Sequence, residues 1–193
     1  MTTGPFFWMP SHRKLPVMIA AIAVAAILLA ALMVVDQPLR TPAAPNGIVS
    51  FELAGSLDNS RQIIDSWSID AKVAAGMSLG LDYLFLLIYA AAIAMGCELA
   101  AQRTSQWRPA FGRLGMLLAW SQLIAAACDM VENLLLFILL QGSTVQHLPA
   151  LARGCALVKF SLVGAGLLYI GSGGLMIMAM TRSRIDKHDG DAP

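Results

Sequence analysis

Four long apolar stretches dominate the pattern of hydrophobic and polar positions along the chain. They cover residues 15–35, 73–97, 114–140 and 152–180. Each stretch is long enough to cross about 30 Å of hydrocarbon as an α-helix. The pattern therefore predicts an all-α integral membrane protein, in which a bundle of four transmembrane helices forms one domain over residues 15–181.

The first apolar stretch follows His12-Arg13-Lys14 and continues without a polar residue to Val35. A cleaved signal peptide is the alternative interpretation, but its apolar core would be only about 7–15 residues long and would end at a cleavage site of small residues. The sequence Leu32-Met33-Val34-Val35 offers neither feature. We therefore expect an uncleaved membrane anchor.

A long loop, residues 36–71, separates the first two stretches. Prolines at positions 38, 42 and 45 and the pair Asn46-Gly47 predict turns. The apolar residues after these turns need a surface to cover, so we expect the long loop to fold back on the bundle or on the membrane interface. Within it, Asp58 or Asn59 is expected to cap a short amphipathic helix, either an interfacial helix or a lid. Its apolar side would carry Leu57, Ile63, Ile64 and Trp67.

The composition agrees with a membrane protein. Hydrophobic residues make up 58% of the chain and charged residues only 13%, and the mean hydropathy is +0.68, far too apolar for an ordinary soluble domain. The net charge of +1 provides no basic surface, so nucleic acid is excluded as an expected partner.

The basic residues near the ends of the stretches predict the orientation in the membrane. One side would carry Arg13, Lys14, Arg103, Arg108, Arg113, Arg182, Arg184 and Lys187, and the other only Arg40, Arg61, Lys72 and Arg153. Because basic residues favour the cytoplasmic side, segments 1–14 and 182–193 are expected in the cytoplasm and the long loop outside. We expect a multi-pass protein of the cell membrane and favour the bacterial inner membrane.

Charged residues interrupt three of the apolar stretches. Asp82 lies in the second, Asp129 and Glu132 lie in the third, and Lys159 lies in the fourth. A charge inside a bilayer is costly unless it is paired, neutralised or hydrated. Counting about 1.5 Å per residue from the ends of each helix places all four side chains at a similar depth, beneath the long loop. We therefore predict that they meet in one polar site in the outer half of the bundle.

Helical spacing adds neighbours to this predicted site. Asp129, Glu132 and Asn133 project from one side of the third helix, while Asp82 and Tyr89 share a stripe on the second. Several acids beside one lysine predict a salt bridge together with a carboxyl that holds a proton, a coupled set that can polarise a ligand or pass a proton. The candidate catalytic residues are Asp82, Asp129 and Glu132, and the candidate ligand-binding residues are Asn133, Lys159, Tyr89, Ser78 and Gln122.

No cofactor or metal site is expected from the sequence. Phosphate-binding loops and the GxSxG and HExxH motifs are absent. None of the apolar stretches contains a histidine, which argues against bis-histidine haem and against a di-iron site. A hard cation held by the three acids remains an alternative, although the nearby Lys159 makes it less attractive.

The sequence leaves three functions open. The favoured hypothesis is a site that binds a small molecule or a membrane lipid and performs acid–base chemistry on it or only holds it. The second is a non-enzymatic accessory or assembly subunit of a larger membrane complex, whose charges fix the bundle. The third is a proton- or ion-coupled transporter that acts as an oligomer, since four spans are few for alternating access. A membrane-protein partner or a second copy of the chain is thus a possible partner beside lipid and ligand.

Overall fold

The four long apolar stretches form four long helices. A computed structural model describes the backbone of residues 3–190 and the side chains of residues 3–181. Its helices are α1 (Ser11–Val35), α2 (Ile48–Glu52), α3 (Leu57–Ser66), α4 (Ile69–Thr104), α5 (Pro109–Leu140) and α6 (Leu148–Gly190), with a 3-10 turn at Gln37–Leu39. The predicted all-α bundle is confirmed at this level, because α1, α4, α5 and α6 are each long and apolar enough to cross a membrane.

The four long helices begin before the apolar stretches do, and α4 and α6 also end beyond them, whereas α1 and α5 end at Val35 and Leu140 as predicted. Helix α4 begins at Ile69 because the Ser68 side chain accepts a hydrogen bond from the backbone N–H of Ala71 and caps the helix. Helix α5 begins at Pro109, whose fixed φ suits the first turn of a helix. Glu98, which comes directly after the second apolar stretch, therefore lies inside α4.

Helix α6 likewise extends beyond the predicted end of the fourth span and remains helical to Gly190. The side chains of residues 182–190 and the whole of residues 191–193 lie outside the described part of the structure. The basic side chains at 182, 184 and 187, used above to predict the orientation, therefore fall outside it, as do residues 1 and 2.

Helix α4 is the central helix of the bundle. It packs against α1, α5 and α6, and α5 packs against α6. Small residues allow this close approach: a Cβ atom on Gly96 would come within 2.7 Å of Ile170 on α6. Helix α1 is peripheral by contrast, and Lys14 is its one buried residue.

The long loop folds onto one end of the bundle. Its first turn is fixed by Asp36, which accepts hydrogen bonds from the backbone N–H of Ile48 at 2.7 Å and from Arg40 Nε at 3.3 Å. The Trp67 indole N–H donates to the Leu39 carbonyl at 2.8 Å. Buried apolar side chains of the loop then join those of the helix ends in one core: Leu39, Phe51, Leu57, Ile63, Trp67, Ala75, Leu79, Leu136 and Leu139.

Helix α3 of the long loop is capped by Ser56, not by Asp58 or Asn59. The extended backbone of Ser56 lets its hydroxyl oxygen accept a hydrogen bond from the Asn59 N–H at 3.2 Å. Arg61 and Asp65 are exposed on the opposite side from the buried Ile63. The loop thereby covers the end of the bundle nearest to Asp129, Glu132 and Lys159.

The segment before α1 covers the opposite end. The Trp120 indole N–H donates to the carbonyl of Thr3 at 3.0 Å, and Phe6 packs against a buried cluster that includes Tyr169. Gly4 lies directly against the Glu98 side chain. This segment therefore closes the bundle over the ion pair that Glu98 forms with Lys14.

Candidate functional site

Lys159 is the centre of the largest buried polar cluster in the described part of the chain. Its Nζ lies 2.8 Å from Asp129 Oδ1 and 3.0 Å from Glu132 Oε2, both on α5. A third carboxylate comes from α2 in the long loop, with Glu52 Oε2 at 3.7 Å. We call these four residues the Lys159 cluster. Their burial means that the ammonium group depends on carboxylates rather than water for neutralisation.

Two hydrogen bonds connect the cluster to α4. The Tyr89 hydroxyl donates to Asp129 Oδ2 at 2.7 Å, so each oxygen of Asp129 has a partner. One turn further along α5, Asn133 Nδ2 donates to Asp82 Oδ2 at 2.7 Å. Asp129 is thus held firmly from two sides, whereas Asp82 is held through one oxygen.

A cavity of about 670 Å³ lies beside the Lys159 cluster, between α1, α4 and α6 and beneath the long loop. Six of the eight predicted site residues line it: Ser78, Asp82, Tyr89, Asp129, Asn133 and Lys159. Three of the four charges predicted to share one depth are therefore neighbours around a common space. The size is typical of small-molecule sites, which occupy about 300–1,000 Å³.

The two remaining predicted residues do not line the cavity. Glu132 is fully buried behind Lys159, and neither of its oxygens has a hydrogen-bond partner of good geometry in the structure. Gln122 lies further along α5, where its Nε2 donates to the carbonyls of Leu118 and Leu162. Gln122 therefore joins α5 to α6, and Glu132 adjoins the cavity through its contact with Lys159.

Glu52 is a site residue that the sequence reasoning missed. It is 8% exposed, and it lines the cavity. The available signal was a lone acid in the apolar run Ile48-Val49-Ser50-Phe51-Glu52-Leu53, which was expected to cover a surface. Burial raises the pKa of Glu52 above its ordinary value, and the charge of Lys159 opposes this effect.

The cavity has a polar end and an apolar end. The polar end lies under the long loop, whereas the apolar end reaches Ile93 on α4 and Leu167 on α6. Asp82 and Ile93 are separated by about 16 Å along α4 at 1.5 Å per residue, which is half the thickness of a bilayer core. Leu29 of α1 and Leu167 of α6 line the cavity and are 47% and 54% exposed. The apolar end therefore reaches the outer surface of the bundle between α1 and α6.

A second buried charge pair lies near the other end of α4. Lys14 Nζ donates to Glu98 Oε1, and Gln102 donates to the same oxygen at 3.3 Å. Both partners of this Lys14–Glu98 pair are almost completely buried, and neither lines the cavity. The pair was not predicted, because both residues were assigned to polar segments outside the spans. A buried apolar cluster that includes Ile93 of the cavity wall also contains Cys97, the residue before Glu98.

Within residues 3–181 no group of three or more His, Cys, Asp or Glu residues has a geometry suited to a metal ion. At the Lys159 cluster the ammonium group occupies the position among the carboxylates that a cation would take. Protein-family models, curated proteins and solved structures give no match to this chain. Its function must therefore be inferred from the chemistry of the cavity and its walls.

Proposed function

We propose that this membrane protein binds a small molecule or a lipid in the cavity beside the Lys159 cluster. The observation that carries the proposal is a space of about 670 Å³ that contacts Asp82, Asn133 and Lys159 at one end and apolar side chains at the other. If these charged side chains only held the helices together, they would be expected to pack without such a space. A large apolar pocket with a few converging polar groups is the usual form of a binding site.

Acid–base chemistry on the ligand is part of this proposal, with Asp82 as the group that exchanges the proton. Asp82 faces the cavity, and Asn133 is hydrogen-bonded to only one of its oxygens. Asp129 is engaged by both Lys159 and Tyr89, so it serves to hold the ammonium group in place. A proton acceptor must lie within hydrogen-bond reach of its substrate, which favours Asp82.

In the proposed orientation the long loop is extracytoplasmic and both termini are cytoplasmic, following the distribution of basic residues. The ligand then enters from the outer leaflet between α1 and α6, where Leu29 and Leu167 are half-exposed. A coupled transport role is less well supported. Neither Lys14 nor Glu98 lines the cavity, and a proton path from the cavity to this pair would have to pass the buried apolar cluster that includes Ile93 and Tyr169.

The proposal is tested by native mass spectrometry of the protein purified in a mild detergent. Val163 lines the cavity on α6, whereas Leu168 on the same helix is 77% exposed. We expect wild type and Leu168→Trp to retain a bound lipid or small molecule, and Val163→Trp to lose it because the indole fills the cavity. Retention of the same ligand by a folded Val163→Trp variant would contradict the proposal. A co-purifying protein in place of a small molecule would instead indicate an accessory subunit.

A further inference from the structure

The cations and the carboxylates around the cavity differ in how completely they are paired. Both cations that line it are engaged: Lys159 contacts three carboxylates, and Arg40 pairs with Asp36 at 3.3 Å. The buried cation, Lys159, is therefore not free to receive a negatively charged ligand at the polar end, and Arg40, whose side chain is half-exposed, is partly hydrated. An anionic head group would also have to approach the carboxylates of Asp82 and Glu52, which disfavours it electrostatically.

Acceptor atoms, in contrast, remain available. Glu52 lines the cavity with a carboxylate whose Oε2 is buried toward Lys159 at 3.7 Å, which leaves Oε1 as the oxygen that a ligand can reach. Asp82 uses one carboxylate oxygen for Asn133, which leaves the other oxygen for the cavity. A largely buried carboxylate without a hydrogen-bond donor is unfavourable, so a donor on the ligand would be stabilised there.

The count of ionisable groups points in the same direction. Asp82, Asp129, Glu132 and Glu52 supply four carboxyl groups around one ammonium group, that of Lys159, so three carboxyl groups are in excess. A positively charged donor is the ligand group that would satisfy the free acceptors and also keep ionised a carboxyl group that would otherwise hold a proton. The space between Glu52 and Asp82 is where that group would lie.

The remainder of the cavity is suited to an alkyl chain. Its walls beyond Tyr89 are apolar and lead to Ile93, Val163 and Leu167. The distance of about 16 Å along α4 from Asp82 to Ile93 corresponds to one leaflet of the hydrocarbon core. A single alkyl chain could lie there with its outer side toward the membrane.

We infer that the ligand is a cationic amphiphile, with an amine head group held between Glu52 and Asp82 and a single alkyl chain lying between α1 and α6. This inference rests on the proposed binding function and specifies its ligand class. The head group donates hydrogen bonds to the free carboxylate oxygens, and the chain replaces water or loose lipid along the apolar wall. The long loop, which supplies Glu52, thus contributes directly to recognition of the head group.

The test compares three probes that share one chain: dodecylamine, dodecanol and dodecanoate. Binding to the purified full-length protein in nanodiscs is measured by native mass spectrometry and by competition. We expect dodecylamine to bind about tenfold or more tightly than either other probe, as hydrogen bonds to charged groups would provide. Asp82→Asn and Glu52→Gln should each lower the affinity for dodecylamine toward that for dodecanol. Asp58→Asn, which changes an exposed acid on the same loop, should leave it unchanged.

The outcomes separate this inference from the proposed function. Equal binding of the three probes, or tighter binding of dodecanoate, would overturn the cationic head group while leaving a binding cavity. Absence of binding by all three, together with absence of any co-purified ligand, would overturn both. An unchanged preference for dodecylamine in Asp82→Asn and Glu52→Gln would show that these carboxylates do not recognise the head group.

Discussion

The Lys159 cluster and the Lys14–Glu98 pair bury lysine side chains toward opposite ends of the same bundle. The Lys14–Glu98 pair matches one ammonium group with one carboxylate and is closed over by Gly4. The Lys159 cluster surrounds one ammonium group with three carboxylates, has Asp82 nearby and adjoins a cavity of about 670 Å³. An ion pair with equal numbers of positive and negative groups and no adjoining cavity is suited to holding helices together. A cluster with more carboxylates than ammonium groups beside a cavity is suited to binding a ligand.

The comparison predicts that the larger loss of stability follows removal of Lys159. In Lys159→Met the carboxylates of Asp129, Glu132 and Glu52 lose their common cation, and we expect a loss of about 3–5 kcal/mol or failure to fold. Thermal unfolding in detergent measures the effect. Lys72→Met, which lies in neither charge cluster, is the matched control and should change the midpoint little. If the Lys159→Met protein is as stable as this control, the cluster contains no destabilising excess of negative charge.

The Lys14–Glu98 pair should behave as an independent, balanced unit. Lys14→Met alone leaves one buried carboxylate unpaired, and we expect a loss of about 3 kcal/mol. The double variant Lys14→Met with Glu98→Met removes both charges and should recover most of that stability, because well-packed apolar residues often replace a buried ion pair without loss. Chemical or thermal unfolding of the single and double variants provides the measurement. If the double variant is as unstable as the single one, Glu98 has a role beyond pairing with Lys14.

The smallest expected effect is a pH dependence confined to the Lys159 cluster. Burial raises the pKa of Glu52, so this carboxylate takes up a proton at a higher pH than an exposed glutamate does. It faces Lys159 on α6, Asp129 and Glu132 on α5, and Asp82 on α4. As the pH falls through the raised pKa, the negative charge is lost and dodecylamine should bind less tightly, by up to about tenfold, at a pH above the range in which an exposed glutamate titrates.

The matched measurement for this pH effect is the binding of dodecanol, which carries no charge and should vary little over the same range. Glu52→Gln should reduce the pH dependence of dodecylamine binding, since the titrating group is then absent. A profile for dodecylamine that is as flat as the dodecanol profile would remove Glu52 from recognition of the head group. The Lys14–Glu98 pair does not line the cavity, so Glu98→Gln should leave the profile unchanged.

The four long helices and the meeting of Asp82, Asp129 and Lys159 could be anticipated from the sequence because charges inside a bilayer have few favourable positions. Counting residues from the ends of each span was enough to bring these side chains to a common depth. The same reasoning could not find Lys14 or Glu98, because charged residues near span ends are equally stable in water. Their burial depends on the fold of the segment that begins at Thr3.

Glu52 and the cavity were beyond sequence reasoning for a different reason. The position of Glu52 depends on how the long loop folds, including the hydrogen bonds of Asp36 to the Ile48 N–H and of Trp67 to the Leu39 carbonyl. Neither contact has a periodic signal in the sequence. A cavity forms where the side chains of several helices do not fill the space between them, so no single residue predicts it.

The peripheral position of α1 has a consequence for how the protein is made. Residues 15–35 carry no charged side chain, so α1 can reside alone in lipid while the later helices are still being synthesised. Helix α5 cannot do so equally well, because Asp129 and Glu132 acquire their counter-ion only when Lys159 on α6 arrives. Completion of the bundle therefore depends on α6, which is synthesised after the other three long helices, and a nascent chain that ends before Lys159 is an unneutralised insertion intermediate.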